Sequence, residues 1–341
     1  MASSMNLSAL VTNLGNYYQE HRDQIFTDAL LGLEPSFAQQ GIAMEDGVAD
    51  EVPLLNLTMS NILAPGGTPA TTSFKDDALV LDNRTLKVKP VKADLRFYPQ
   101  DFERKWITHN RTQKATMKDW VDVPFYQFFL DQIIAKVREE LYLATWNADT
   151  GNGTTTYTSI IDGIISLLKD DVAASKVSQA GNGNAITANN VVAELEAISD
   201  ATTDANAAGT TYMYVSPTVA RWYVRADTSA IGRGGVDFNG ISHNVGSLGF
   251  PEFVLRGTNT KIIPVPALAQ SLTGLTNEAV IVSIGDNIVV GTDSMAEINE
   301  IDFQKYERSV KMFMDFKWGV NYRLANTTKK PIFVNSGAGW S

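Results

Sequence analysis

Few residue types in this sequence are suited to catalysis or to binding a metal, and their spacing matches no common motif. The chain has no cysteine and only three histidines, His21, His109 and His243, which are widely separated. Disulfides, thiolate zinc sites, iron–sulfur clusters and a cysteine nucleophile are therefore excluded. His109 lies in a polar stretch and His243 in a glycine-rich stretch, and such settings favour surface histidines over general bases.

Two short motifs match ligand-binding loops only in part. The spacing Asn147-x-Asp149-x-Gly151 is similar to the start of a calcium loop, but Thr158 stands at the twelfth position, where a bidentate Glu is needed. The stretch that begins at Gly232 (Gly-Arg-Gly-Gly) has the composition of a phosphate nest, yet no P-loop lysine spacing accompanies it. Both patterns favour ordinary turns, and the sequence predicts no enzyme, no cofactor and no metal.

The composition indicates a folded and acidic protein. Of its 341 residues, 44% are hydrophobic, and the formal net charge is −10. Acidic residues predominate in 1–74 and 151–300, whereas basic residues predominate in 75–122 and 301–341. This alternation favours attraction between copies of the chain, although it also fits solvated faces that have no partner. An acidic chain of this kind does not support nonspecific nucleic-acid binding through one strong basic patch.

Neither a membrane segment nor a leader is expected. No apolar run reaches the roughly 18 residues that a spanning helix needs. The first residues show neither the basic region nor the apolar region of a secretory signal. We therefore expect a chain that stays in the compartment where it is made.

Residues 52–98 predict a long β-hairpin. Leu55, Leu57 and Met59 alternate with polar residues, and a charged return strand follows a tip rich in Gly and Pro at 64–70. The alternation of the return strand slips by one residue near Pro90, which indicates a bulge or bend. A two-stranded hairpin is only marginally stable in water, so it must lie on its own domain or on another subunit. The candidate residues for ionic contacts with an adjacent subunit are the charged residues placed near the tip, Lys75, Asp76, Asp77 and Arg84.

Hydrophobic periodicity predicts the remaining elements. An amphipathic helix is predicted over 5–32, an extended arm over 33–51 and a long helix over 122–149. Short helices and strands follow over 159–294, including a hairpin turn at Gly285 and Asp286. From Val310 to Leu324 the apolar residues fall on even positions, which predicts one long strand with one face packed on the long helix.

The order of these elements resembles the major capsid proteins of tailed double-stranded DNA bacteriophages, which have the Hong Kong 97-type fold. Residues 212–222 resemble the strand-then-helix segment of that family's axial domain. Residues 246–254 resemble its turn, which leads through a Pro into a strand. Residues 281–286 resemble its Gly-Asp hairpin, and 307–331 resemble its closing strand. The resemblance implies an α+β fold with five regions: an N-terminal helix and arm (1–51), an extended hairpin loop (52–98), a peripheral domain with a spine helix (99–158), an axial domain (159–294), and a peripheral closing strand with the C-terminus (295–341).

The resemblance also implies a structural function. A protein of this family self-assembles through hexamer-type and pentamer-type contacts into an icosahedral shell that encloses double-stranded DNA. The expected partners are many copies of the same chain, the packaged DNA, and portal, scaffold or decoration proteins; the expected location is the virion capsid, assembled in the host cytoplasm. Two alternatives stay open. One is an encapsulin-like bacterial compartment shell, because the helix predicted over 5–32 resembles the N-terminal helix of such shells. The other is a soluble α+β enzyme or ligand-binding domain.

Overall fold

A computed structural model of the chain describes positions 12 and 16 and residues 34–59, 79–98, 125–153, 156–202, 209–231, 244–245, 251–255, 257–293, 302–325 and 330–340. Positions 12 and 16 are helical, and the rest of the helix predicted over 5–32 lies outside the described residues. The three histidines, the glycine-rich stretch that begins at Gly232 and the predicted hairpin tip also lie outside them.

The described residues form an α+β structure. Its helices are α1 (Glu34–Gln39), α2 (Phe125–Asn147), α3 (Ile164–Ala173), α4 (Val191–Asp200), α5 (Pro217–Ile231) and α6 (Gln270–Thr273). Its strands are β1 (Ala43–Glu45), β2 (Glu51–Met59), β3 (Leu79–Lys87), β4 (Lys89–Lys92), β5 (Leu95–Phe97), β6 (Ser178–Ala180), β7 (Thr211–Val215), β8 (Asn244–Val245), β9 (Pro251–Val254), β10 (Thr260–Pro264), β11 (Val280–Ile284), β12 (Ile288–Thr292), β13 (Asp302–Tyr306), β14 (Ser309–Phe313), β15 (Asp315–Tyr322) and β16 (Ile332–Asn335).

The strands form four sheets. A seven-stranded sheet has the order β6-β16-β11-β7-β10-β9-β8, and a four-stranded sheet has the order β1-β12-β15-β4. A three-stranded sheet has the order β13-β14-β5, and β2 with β3 forms a two-stranded ribbon. The largest apolar cluster contains residues of α2, α3 and the three larger sheets, so one core joins these layers.

Helix α2 confirms the long helix predicted from the sequence. Its 23 residues span about 35 Å at 1.5 Å per residue. Leu141 and Ala144, both on the predicted apolar stripe, are buried. Trp146 at its C-terminal end is also buried and lies against the ring of Tyr214, with the ring centroids 5.2 Å apart. The helix therefore connects the seven-stranded sheet to the rest of the core.

The closing strand confirms the predicted pattern of burial but is not one strand. The apolar side chains at even positions are all nearly or fully buried, from Val310 to Tyr322. The chain divides at Met314, because β14 pairs with β13 and β5 whereas β15 pairs with β12 and β4. The single long strand was therefore a wrong prediction. Because strands twist, an extended segment of this length does not stay aligned with the strands of one sheet. It pairs instead with one sheet along its first half and with another along its second half.

Residues 34–50 differ from the extended arm that the sequence predicts. They contain α1 and the short strand β1, which pairs in parallel with β12. Phe37 and Ile42 are buried in the main core, and the Phe37 ring stacks on Tyr142 with centroids 5.9 Å apart. Tyr214 Oη donates a hydrogen bond to the carbonyl oxygen of Gln40 at 2.6 Å. Apolar side chains at only a few positions are thus enough to fix this segment to the body.

The predicted hairpin turn at Gly285 and Asp286 is also wrong. Strands β11 and β12 flank this turn, but β11 belongs to the seven-stranded sheet and β12 to the four-stranded sheet. Asp286 has a φ of 58°, and its N–H donates to the carbonyl oxygen of Gly41 at 2.9 Å. The turn therefore carries the chain between two sheets and is held by the segment that precedes β1.

Candidate assembly interface

The predicted β-hairpin is present. Strands β2 and β3 are antiparallel, with register from the pair Glu51 and Lys87 to the pair Met59 and Leu79. The return strand leaves this ribbon after Lys87, because β4 then pairs with β15 and β5 with β14. The bend predicted near Pro90 thus accompanies a change of sheet, and the ribbon is shorter than the predicted 52–98.

The base of the hairpin packs on its own subunit. A separate apolar cluster joins Leu54, Leu86 and Val88 to Val48 and Val289 of the body. Leu86 has no exposed surface, and Leu54 retains 3%. The alternation predicted from the sequence begins at Leu55 and does not include Leu54. The signal was available, because Leu54 follows Val52 by two residues, as the apolar face of a strand requires.

Strand β3 crosses closely over β15. A Cβ added at Gly319 would lie 2.1 Å from the carbonyl oxygen of Lys87, so only glycine permits this approach of two backbones. Two residues further along β15, Asn321 Nδ2 donates a hydrogen bond to the carbonyl oxygen of Thr85 at 2.8 Å. The hairpin is therefore fixed to the four-stranded sheet by backbone contacts as well as by apolar packing.

Arg84 lies at the base of the hairpin and not near its tip. It pairs in register with Leu54, and its guanidinium donates to Asp171 Oδ2 at 2.8 Å within the same chain. The guanidinium also lies 4.1 Å from the centroid of the Tyr322 ring. Tyr322 Oη donates to the same Asp171 oxygen, and burial together with this hydrogen bond raises the pKa of Tyr322 well above its ordinary value. Arg84 thus has an intramolecular role that the sequence did not indicate.

The other three candidate contact residues lie outside the described residues. Lys75, Asp76 and Asp77 fall between β3 and the end of β2, in the part of the hairpin that carries the tip. Their contact with an adjacent subunit stays a prediction.

The outer face of the three-stranded sheet combines cations with aromatic rings. Arg96 and Lys311 are directly opposite each other on β5 and β14. Lys311 Nζ lies 3.9 Å from the centroid of the Tyr306 ring, and the Arg96 guanidinium lies 5.4 Å from the Tyr98 ring. Tyr98 and Tyr306 are 46% and 44% exposed. Tyrosine and arginine are enriched in protein interfaces, so this face has the composition of a contact surface. Local patterns do not reveal this face, because β5 is distant in sequence from β13 and β14.

Catalytic and metal-binding arrangements do not emerge from the described part of the chain. A groove of about 480 Å³ lies between α2, β4 and the turn at 157–159, and its walls are largely apolar. Its two charged residues are engaged in salt bridges, Lys92 with Asp94 at 3.1 Å and Glu140 with Lys136 at 3.8 Å. Within the described ranges, His, Asp and Glu side chains form no cluster of three suited to a metal ion.

The calcium-like spacing near the end of α2 is an ordinary turn. Asp149 Oδ1 accepts a hydrogen bond from the N–H of Gly151 at 2.8 Å, and Asn147 Nδ2 donates to the carbonyl oxygen of Ala267 at 2.6 Å. Both side chains therefore act within the fold. Among the helices described, none is both long enough and apolar enough to cross a membrane.

Comparison with known proteins identifies the fold. No protein-family model matches the sequence, and no curated protein matches it. A chain of the satellite phage P4 procapsid, solved with its size determination (Sid) protein, matches with a TM-score of 0.55 and 10% identity over 95% of this chain and 92% of that chain. A chain of the holo-SrpI encapsulin complex from Synechococcus elongatus PCC 7942 matches with a TM-score of 0.50 and 10% identity over 90% of this chain and 88% of that chain.

A chain from Mycobacterium phage Cain is also similar, with a TM-score of 0.48 and 13% identity over 87% of this chain and 88% of that chain. The matches to the P4 procapsid chain and the encapsulin chain extend over nearly all of both chains in each pair. The described elements also follow the order predicted from the family resemblance. This chain has the Hong Kong 97-type capsid fold.

Proposed function

We propose that this chain is the structural major capsid protein of a tailed double-stranded DNA bacteriophage. It self-assembles through hexamer-type and pentamer-type contacts into an icosahedral shell that encloses the DNA. The observation that carries the proposal is the similarity in fold to a phage P4 procapsid chain over 95% of this sequence. The proposed role is structural and not catalytic.

The hairpin is the part of the chain that we assign to contacts between subunits. Its apolar anchor consists of residues at the base, and a two-stranded ribbon beyond such an anchor is marginal without further cover. A neighbouring subunit supplies that cover in the proposed shell. Lys75, Asp76 and Asp77 provide ionic contacts there, while Arg84 holds the base within its own subunit.

Further parts of the proposal follow from the capsid role. The partners are many copies of this chain, the packaged DNA by nonspecific proximity, and portal, scaffold or decoration proteins. The chain is located in the virion capsid and is assembled in the host cytoplasm. Residues 159–294 form the axial domain, and α2 with the closing strand belongs to the peripheral domain.

Electron microscopy of the purified protein tests assembly. We expect closed shells, and a matched variant that lacks Pro65–Ser73 is expected to give fewer or less stable shells. Shells of normal number and stability from this variant would contradict the role of the hairpin. A stable monomer in size-exclusion chromatography, with measurable binding of a small ligand, would instead support a soluble enzyme or ligand-binding domain.

An encapsulin-like compartment shell is the second candidate. The observation that favours it is the similarity in fold to the holo-SrpI encapsulin chain, with a TM-score of 0.50. The contents of particles isolated from the native host distinguish the two candidates. Double-stranded DNA inside the particles supports the phage capsid, and a cargo protein without DNA supports the compartment shell.

A further inference from the structure

We propose that Asp171 is the centre of a polar latch that fixes the direction in which the hairpin leaves its own subunit. The latch consists of Arg84 on β3, Asp171 on α3 and Tyr322 at the end of β15. Its consequence for shell assembly rests on the proposed function, whereas the latch itself is a property of the single chain.

The three residues of the latch come from three different elements and meet at one buried carboxylate. Asp171 is 7% exposed. Its Oδ2 accepts hydrogen bonds from the Arg84 guanidinium and from Tyr322 Oη, and Lys176 Nζ lies 3.8 Å from Oδ1. Because the hairpin, the helix and the sheet each contribute one of these groups, a rotation of the hairpin about its base breaks at least one of these contacts.

Arg84 is held in orientation as well as in position. Its guanidinium donates to the carboxylate and at the same time lies over the Tyr322 ring, at 4.1 Å from the centroid. A planar guanidinium fixed by both contacts cannot pivot as a lysine ammonium can. The Arg84 side chain is 17% exposed, so water competes little for these contacts.

A second ion pair at the same end of the hairpin provides a contrast. Lys87 Nζ lies 3.4 Å from Glu51 Oε2, but the two side chains are 69% and 55% exposed. Exposed pairs of this kind contribute little to stability. Lys87 lies on the same strand as Arg84, only three residues away, so it supplies a matched control.

The latch preorganises the hairpin for docking. The contact of Asn321 with Thr85 and the close backbone approach at Gly319 hold the same stretch of β3 against β15. A hairpin whose direction is set before it meets a neighbour loses less conformational entropy when it docks. We therefore expect the latch to favour assembly without contacting the neighbouring subunit.

Distance measurements on the unassembled, full-length chain test the latch directly. The sequence has no cysteine, so Pro53→Cys, exposed on β2 beside the anchored Leu54, and Glu139→Cys on α2 introduce a unique pair of spin labels. We expect a narrow distance distribution in the parent chain and in Lys87→Ala, and a broad one in Arg84→Lys and Tyr322→Phe. Equal widths in all four proteins would overturn the proposal. If Arg84→Lys does not fold, Tyr322→Phe alone decides the outcome in the same way.

Hydrogen exchange provides a second measurement on the same proteins. The Val88 N–H donates to the carbonyl oxygen of Asp50 at 2.9 Å and reports opening of the hairpin base. In the two latch variants we expect its exchange to accelerate by about tenfold, as for the loss of one hydrogen bond to a charged group. Unchanged exchange in both would overturn the latch. Absence of shells from the parent chain would instead overturn the proposed function, so the two failures are distinguishable.

Discussion

Trp318 Nε1 donates a hydrogen bond to Thr145 Oγ1 at 3.0 Å, and neither residue has exposed surface. Trp318 belongs to β15 and Thr145 to α2, so this bond joins the closing strand to the long helix inside the core. The Thr145 hydroxyl in turn donates to the carbonyl oxygen of Leu141 at 2.8 Å. Both polar groups are thereby satisfied where water is excluded.

Replacing this hydroxyl is expected to destabilise the protein without changing its shape. Thr145→Val preserves the volume of the side chain but leaves the buried indole N–H of Trp318 without its acceptor. We expect the free energy of unfolding to fall by about 1–3 kcal/mol, measured by urea denaturation. The exposed Thr210→Val is the control, and equal losses in the two variants would contradict the role of the bond.

Because β3 crosses closely over β15, we expect substitution of Gly319 to cause an unusually large loss of stability. Gly319→Ala places a Cβ 2.1 Å from the carbonyl oxygen of Lys87, a backbone atom that cannot turn aside. We expect destabilisation at or above the upper end of the about 1–3 kcal/mol that is typical of overpacking. Gly47→Ala serves for comparison, because Gly47 has a φ of +75° but nothing within 4 Å of the added Cβ. A smaller effect at Gly319 than at Gly47 would show that the crossing adapts easily.

The lowered pKa of Asp162 predicts a loss of stability in acid. Partial burial opposes its ionisation, but hydrogen bonds from Thr150 and Lys89 outweigh burial and lower its pKa in the native state. Since the native pKa is below the unfolded value of about 4, this stabilisation is fully present above that pH and is lost as the pH falls through the native pKa. Asp162→Asn is expected to cost no more than about 1 kcal/mol at neutral pH.

The same variant provides the check. Urea denaturation at several pH values is expected to show the gap between the parent chain and Asp162→Asn closing below pH of about 4. Asp200→Asn, at an exposed position on α4, controls for the loss of one negative charge. A gap that is independent of pH would contradict this account.

The raised pKa of Tyr142 predicts a loss of stability in alkali. Burial raises its pKa to about 12, although the hydrogen bond from Gln40 Nε2 at 3.1 Å partly offsets this effect. The unfolded chain therefore loses this proton first, so the contribution is present below pH of about 10 and is lost as the pH rises through the native pKa. Tyr142→Phe is expected to reduce the alkaline loss of stability, measured by urea denaturation at several pH values. A pH profile equal to that of the parent chain would contradict the prediction.

Sequence periodicity predicted which faces are buried. The stripe through Leu141 and Ala144 and the even positions from Val310 to Tyr322 both proved to face the core. Such patterns are local, because the alternation of a strand or the turn of a helix depends only on neighbouring residues. The order of the elements was predictable for the same reason, whereas the α+β fold was implied by the resemblance of that order to a known family.

Partners that are distant in sequence could not be predicted. The turn at Gly285 and Asp286 indicates that the chain bends, but not that β11 and β12 then enter different sheets. Likewise the sequence predicted Arg84 as one of several charged contact residues near the hairpin tip. No local pattern connects it to Asp171, which lies 87 residues away. The latch is therefore visible only once the strand, the helix and the sheet are assembled.

The position of β16 has a consequence for biosynthesis. This strand lies between β6 and β11 in the interior of the seven-stranded sheet, although its residues come after those of every other strand in that sheet. Until the ribosome has released residues 332–335, β11 has a bare edge that is able to pair with other polypeptides. The largest sheet therefore stays open at β11 until β16 has been made, and protection by chaperones is most valuable in that interval.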